Sequence, residues 1–335
     1  MRHRLKASQA AVLLVWLLAC VSVSQASPRP VSAGQDSKGS VLFDETLSEY
    51  GESRIGTGYA ELARNLRDAG YAVDSLTAGP ITYEKISHYS VLVIAAPFTP
   101  PISVGTSEIG DVKRFVGEGG GLLLAAVGWS WVAHAKLDVA SDPANTIGSE
   151  FGITVNDDVI YDPKDNDGGP ARPIFHEFAN HPTTYGLSRV CVDSPSSLDV
   201  GGGSAMVWGD DDSYAQVKGT YTYPRGIHPP FVAITEFGSG RVVYIGHGGV
   251  FHDRNLRVYD NLKLALNVFN WLIQSKRTTT VTLTSTTTAL TSAILPTLPV
   301  IGGMGALLLL AFIGGYYLAR RRRNEMTADE DTKIW

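Results

Sequence analysis

The stretch "GRVVYIGHGGVFHDRN", residues 240–255, gathers the side chains of this chain best suited to chemistry. His247 and His252 follow a β-branched run, and Asp253 and Arg254 stand directly after the second imidazole. An imidazole oriented by a carboxylate is the usual general-base arrangement, so His252 and Asp253 fit base and orienter. His247 lies among Gly246, Gly248 and Gly249, which let the chain turn sharply and let a ligand approach the backbone. A second pair, Asp44 and Glu45, closes the apolar run "GSVLFDE". Neighbours on a strand point to opposite sides, so these two acids do not form a paired-carboxylate unit. Contact with a polar ligand is their expected role.

Base chemistry on an acyl group also needs a nucleophile. The apolar run "LLLAAV" leads into "GWSWVAH", where a nucleophile elbow would sit. It carries no cysteine, and Ser130 is its only hydroxyl, flanked by Trp129 and Trp131. A strained elbow needs small neighbours, so two indoles argue against one. The expectation is therefore no catalytic residue. Asp44, Glu45, His247, His252 and Asp253 remain as ligand-binding candidates. His247 also reads as a turn or capping histidine, and Arg254 lets the His252–Asp253 pair read as a surface charge cluster.

Other motifs fall short of a site. "GESRIGTG" at 51–58 lacks the spacing of a dinucleotide fingerprint, and no Lys–Ser/Thr pair follows it. "NDDVIYDPKDNDGG" offers Asp157, Asp158, Asp162, Asp165 and Asp167, and part of it matches a calcium loop. The far glutamate of an EF-hand is missing, so a solvated acidic loop is expected, as for "WGDDDSYAQ" at 208–216. His176 and His181 in "HEFANHP" lack zinc-ligand spacing and a cysteine partner. "HPTTYG" at 181–186 reads as a turn into a strand at 189–193, where Cys191 is expected as a buried thiol. No metal and no cofactor are expected.

Strand and helix must alternate to position these residues. "GSVLFDE", "YAVDSL", "SVLVIAAP" and "LLLAAV" are short apolar runs. Between them, "YAELARNLRDAG" places Leu62, Leu66 and Ala69 on one helical face, and "EIGDVKRFVGEGGG" does so with Ile109, Val112, Phe115 and Val116. "TYEKISHY" is a helical turn. "FVAITEFGSGRVVYIG" is a hairpin around glycine, and "YDNLKLALNVFNWLIQ" is the last helix. Buried strands alternating with helices predict an α/β, flavodoxin-like doubly wound, mostly parallel sheet, with ligands beyond the carboxyl ends of its strands.

The ends predict a setting. Residues 1–26 read as a signal peptide, with a basic start, an apolar stretch and small residues before Ser27. "LLAC" admits a second reading, in which Cys20 is lipidated. The α/β body spans 38–276, a Thr/Ser-rich stalk 277–293, a transmembrane helix 296–319 and a cytoplasmic tail 320–335. Arg320 to Arg323 hold the tail inside, giving a single-pass type I protein with most of its mass outside the cell membrane. An exported chain of this kind keeps at most Cys191 unlipidated, so no internal disulfide is expected, and the body is large enough to fold without one. A net charge of −5 argues against a nucleic-acid partner. The expected partners are the membrane, and another envelope or membrane protein or a surface glycan.

With these pieces in order, the body resembles the class I glutamine amidotransferase-like superfamily. It is most similar to the non-catalytic DUF4350-type and ThuA-like branches and the related intraflagellar-transport domains. The matching residues are Asp44 and Glu45, "LARNLRDAGYAV" at 62–73, "GGGLLL" at 119–124, "HPTTYG" at 181–186, "GSGRVVYIG" at 238–246 and "DNLKLALNVFNWL" at 260–272. The superfamily's amidotransferases carry a cysteine elbow and an "FHPE"-like segment. Here "VFHD" at 250–253 echoes the second and nothing supplies the first. The resemblance therefore implies the fold without the reaction: a surface binding or scaffold module. The alternative is a divergent hydrolase or carbohydrate-active enzyme using Asp44, Glu45 and His247.

Overall fold

The computed structural model describes residues 37–47, 54–95 and 103–274. All belong to the first of the chain's two compact units, Met1–Thr279. The expected signal peptide, stalk, transmembrane helix and tail lie outside the described residues. Among those described, no helix is long and apolar enough to cross a membrane.

The first half alternates as the sequence pattern requires. Strands β1 (Gly39–Asp44), β2 (Tyr71–Leu76), β3 (Val91–Ala95) and β4 (Gly121–Ala125) are separated by helices α1 (Ala60–Asp68), α2 (Tyr83–Ile86) and α3 (Thr106–Gly117). Helices α4 (Gly128–Ala135) and α5 (Pro143–Gly148) follow β4. Nine short strands come next: β5 (Thr154–Val155), β6 (Val159–Tyr161), β7 (Ile174–Phe175), β8 (Glu177–Phe178), β9 (Val190–Cys191), β10 (Leu198–Asp199), β11 (Ser204–Trp208), β12 (Tyr214–Val217) and β13 (Thr220–Tyr223). The long hairpin β14 (Pro230–Phe237) and β15 (Gly240–Ile245) leads to the final helix α6 (Asn261–Ile273).

The molecule is a mixed α/β structure around a large, mostly parallel sheet. Its strand order is β2-β1-β3-β4-β15-β14-β11-β8. The five strands from β2 to β15 run parallel, and β14, β11 and β8 continue antiparallel. Both faces are covered. In β4, Leu123 and Ala125 face the layer of α1 and α6, while Leu122 and Leu124 face that of α2, α3 and α5. In β15, Val243 and Ile245 take the first face, and Val242 and Tyr244 the second. Strands buried on both sides show continuous apolar runs rather than alternation, which is why these segments read so plainly in the sequence. Each fully buried Val, Leu or Ile contributes ~1.5–3 kcal/mol by area removed from water.

Two details of the helices matter for the site. Helix α1 has no capping side chain at Tyr59, the residue before it, so the cap must come from elsewhere in the chain. Helix α6 buries Leu264, Ala265, Val268, Phe269 and Leu272 completely, while Leu262 and Leu266 are half-buried.

Candidate functional site

Strands β1, β4 and β15 run parallel, so their carboxyl ends share one edge of the sheet. Ligands of open α/β sheets bind beyond that edge. Asp44 and Glu45 end β1, while His247, His252 and Asp253 follow β15.

Asp44 and Glu45 diverge, as adjacent strand residues must. The Asp44 carboxylate accepts the Thr46 hydroxyl at 2.6 Å and the Thr46 and Leu47 N–H groups at 3.2 and 3.3 Å. Leu47 packs on the α3 face. Burial pushes the Asp44 carboxyl up, against the pull of the Thr46 and Leu47 hydrogen bonds. Glu45 instead accepts the Ile55 N–H at 2.9 Å, and Ile55 packs on the α1–α6 face. One acid ties a turn and the other ties the glycine-rich loop.

The residues after β15 form a closely bonded group with the start of α1. His247 Nδ1 accepts the Gly249 N–H at 2.8 Å, which places the proton of the neutral ring on Nε2. Its basicity is pushed down to about 3, first by desolvation and then by the charges of His252 and Arg254. His252 meets Tyr59 edge-on, with ring centroids 4.6 Å apart. The buried Tyr59 hydroxyl donates to the Gly248 carbonyl at 3.1 Å. Asp253 accepts the Glu61 N–H at 2.8 Å, and its own N–H donates to the Gly58 carbonyl, also at 2.8 Å. Asp253 thus supplies the cap that α1 lacks locally, where a carboxylate also complements the helix dipole. Glu61 pairs in turn with Arg257 and with Arg64.

At the end of β4, the chain passes from Ala125 through Val127 into α4. Gly128 is required here, because a Cβ would stand 2.0 Å from the Asn156 carbonyl oxygen. Trp129 donates to the Ser194 carbonyl at 2.8 Å, and Trp131 to the Asp138 carbonyl and the Ser141 hydroxyl. The indoles therefore anchor neighbouring loops. Between them Ser130 is 1% exposed, and its hydroxyl has no hydrogen-bond partner among the described residues. No base is hydrogen-bonded to it, so the arrangement lacks the contact that activates a serine.

The acidic segment is less solvated than its composition suggests. Asp158 is buried and accepts the Ser197 N–H at 2.7 Å, and Asp162 is buried and accepts the Lys164 and Asp165 N–H groups at 2.8 Å. Asp162, Asp165 and Asp210 have carboxylate atoms within 4.8 Å of one another, the spacing that a cation would need. Asp162 and Asp210 share the Ser213 hydroxyl, at 2.9 and 3.1 Å, so internal hydrogen bonds account for their approach. Cys191 is a buried thiol, as expected. "HPTTYG" forms the expected turn, with His181 Nδ1 accepting the Thr183 N–H.

Sequence reasoning missed Tyr59, whose ring and hydroxyl join the two halves of this edge. Its only local signal was an aromatic residue directly before a helix in "GTGYAEL".

The family model described as TCAF_N, "TRPM8, N-terminal domain", matches residues 101–164. A TRPM8 channel-associated factor homolog of Xenopus laevis is 28% identical over 198 residues, covering 56% of this chain and 20% of that protein. The chain thus spans about a fifth of that relative's length. An uncharacterized protein of Aquifex aeolicus (strain VF5) is 24% identical over 227 residues, 66% of this chain and 89% of that protein. Among solved structures, the mmIFT52 N-terminal domain is similar with a TM-score of 0.56 at 19% identity, over 70% of this chain and 97% of that one. At that identity the likeness is one of fold, and it meets the expected resemblance to intraflagellar-transport domains.

Proposed function

We propose that the chain presents an extracytoplasmic head on a single membrane span, and that the head binds a ligand or protein partner without turning over a substrate. In this reading it is an amidotransferase-like, flavodoxin-like module retained for its surfaces. The observation that carries the reading is the end of β4. The position of a nucleophile elbow holds no cysteine, and Ser130 is buried between two anchoring indoles with no base on its hydroxyl. The hydrolase alternative needs Asp44, Glu45 and His247 in one cleft, whereas Asp44 is bonded to a turn packed on the α3 face. Glu45, His247, His252 and Asp253 then remain as the ligand-facing candidates of this edge, and Asp44 is a buried turn residue.

The span rests on the uncharged run at 300–318 and the four arginines after it. The Xenopus relative is named as a channel-associated factor homolog, which supports a membrane protein as the partner here. Alkaline extraction of membranes from expressing cells tests the anchor. The full chain stays in the pellet, and a chain ending before Thr278 is released. The same full chain, assayed against amide, ester and glycoside panels, shows no turnover that His247→Ala removes. Release of the full chain, or turnover lost in that variant, contradicts the proposal.

A further inference from the structure

A groove lies at the opposite edge of the sheet, where β15 begins. Two hollows of about 400 and about 420 Å³ meet at His181, which lines both. Each falls in the range of ~300–1,000 Å³ typical of small-molecule sites. Asn180, Tyr185 and Asn267 line the first, and Thr235, Glu236 and Trp271 the second.

The lining is prearranged. His181 Nδ1 accepts the Thr183 N–H at 3.2 Å, which leaves Nε2–H as the donor of the neutral ring. Desolvation and the positive charge of Arg241 hold this imidazole below its usual range, so it stays neutral. Its ring meets Trp271 edge-on at 5.2 Å. Asn267 donates to the Tyr185 carbonyl at 2.9 Å, which fixes the amide and keeps its oxygen as an acceptor. Tyr185 is 79% exposed, an aromatic ring left in water beside a row of neutral polar groups.

The same lining excludes other ligand classes. Neither hollow is lined by a lysine or an arginine, so phosphate, sulfate and carboxylate groups find no counter-charge. Arg241, above the Trp271 ring, is committed to the Trp271 carbonyl at 2.7 Å and to Glu236 at 3.5 Å. Two amides, an imidazole, three hydroxyls and a carboxylate make the groove too polar for a wholly apolar ligand. A neutral ligand with many hydroxyls and an apolar C–H face satisfies both parts. We infer that the His181 groove binds a neutral oligosaccharide of two or more units, one seated on each side of the imidazole. The inference is independent of whether the head is catalytic, because the groove lies at the other end of the sheet.

The test uses the full chain in a detergent without a sugar headgroup. The probes are an immobilised set of neutral hexose and N-acetylhexosamine oligosaccharides, their sialylated and sulfated counterparts, and unglycosylated peptides. Neutral disaccharides and longer chains retain the protein. Tyr185→Ala weakens retention up to roughly tenfold, the loss expected for one aromatic contact. Asn180→Ala weakens it as well. Tyr221→Ala, which removes an exposed tyrosine on β13, binds as wild type and shows that the effect is local. Thermal melts matching wild type confirm that the exposed Tyr185 is not needed for folding. No retention on any glycan, retention confined to sialylated or sulfated probes, retention by peptides alone, or wild-type binding by Tyr185→Ala overturns the inference.

Discussion

The Asp253 carboxylate accepts the Glu61 N–H at 2.8 Å, across 192 residues of sequence. This bond caps α1 from the far side of the β14–β15 hairpin. It therefore couples the first helix of the head to the segment that resembles an active site. Asp253→Ala should cost about 1 kcal/mol, the usual loss of a helix cap. In a head of this size that lowers the melting temperature by roughly 2–4 °C. Asp253→Asn should keep most of the stability, since asparagine caps about as well. Thermal melts by circular dichroism check both.

His247 and Val243 separate the roles within one stretch. Val243 is fully buried on the face shared with α1 and α6, so Val243→Asp buries an unpaired charge and should abolish cooperative folding. His247→Ala removes only the acceptor of the Gly249 N–H and should cost about 1 kcal/mol. Equal destabilisation in chemical denaturation would make the histidine a core residue.

Gly246 marks where the chain leaves the sheet. A Cβ there would stand 2.0 Å from the Ser196 carbonyl oxygen, a backbone atom that cannot step aside cheaply. Gly246→Ala should therefore destabilise more than His247→Ala, measured in the same denaturation series.

Two desolvated groups should give opposite pH dependences. Asp142 caps α5 through the Ala144 N–H, and burial raises its carboxyl from 3.8 to about 7. The folded state then holds the extra proton, so this group's contribution to stability falls as pH rises from 3.8 to about 7. Asp142→Asn keeps the cap and removes that loss, so the variant gains on wild type across the window. His247 is shifted from 6.5 to about 3, and in that interval the unfolded state binds the extra proton. Its contribution therefore falls as pH drops from 6.5 to about 3. His247→Gln should lose ground to wild type as pH rises through the same interval. Denaturant midpoints read against pH for each variant check both signs.

What the sequence made legible follows from how the elements are stabilised. "LLLAAV" and "FVAITEFGSGRVVYIG" were readable because strands buried on both faces leave continuous apolar runs, and the hairpin turn fell at Gly238–Ser239 as expected. The divergence of Asp44 and Glu45 followed from strand geometry alone. The two-residue strands β5, β7, β8 and β10 were not readable, because a pair of residues has no period, whereas β9 falls inside the strand expected at 189–193. "GWSWVAH", whose two indoles argue against an elbow, is the body of α4, held by indole hydrogen bonds that no local pattern encodes. The location of the candidate edge was legible from topology. Its internal bonds were not, since Tyr59 with Gly248 and Asp253 with Glu61 join residues nearly two hundred positions apart. The His181 groove escaped for the same reason, because its lining comes from a turn, two strands and α6.

Removing the Ser130 hydroxyl should help the fold. It is buried without a partner among the described residues, and such a group costs ~1–3 kcal/mol in desolvation. Ser130→Ala should raise the melting temperature or leave it unchanged. A drop would show that the hydroxyl makes a contact the fold depends on.

The central claim is that this head carries no activated nucleophile at the end of β4. Intact-mass measurement of the folded full chain after incubation with a fluorophosphonate tests it most directly. The account predicts an unmodified mass, because a serine with no base on its hydroxyl does not react with the reagent. Stoichiometric labelling of Ser130 in the folded protein, abolished by His247→Ala, would contradict it.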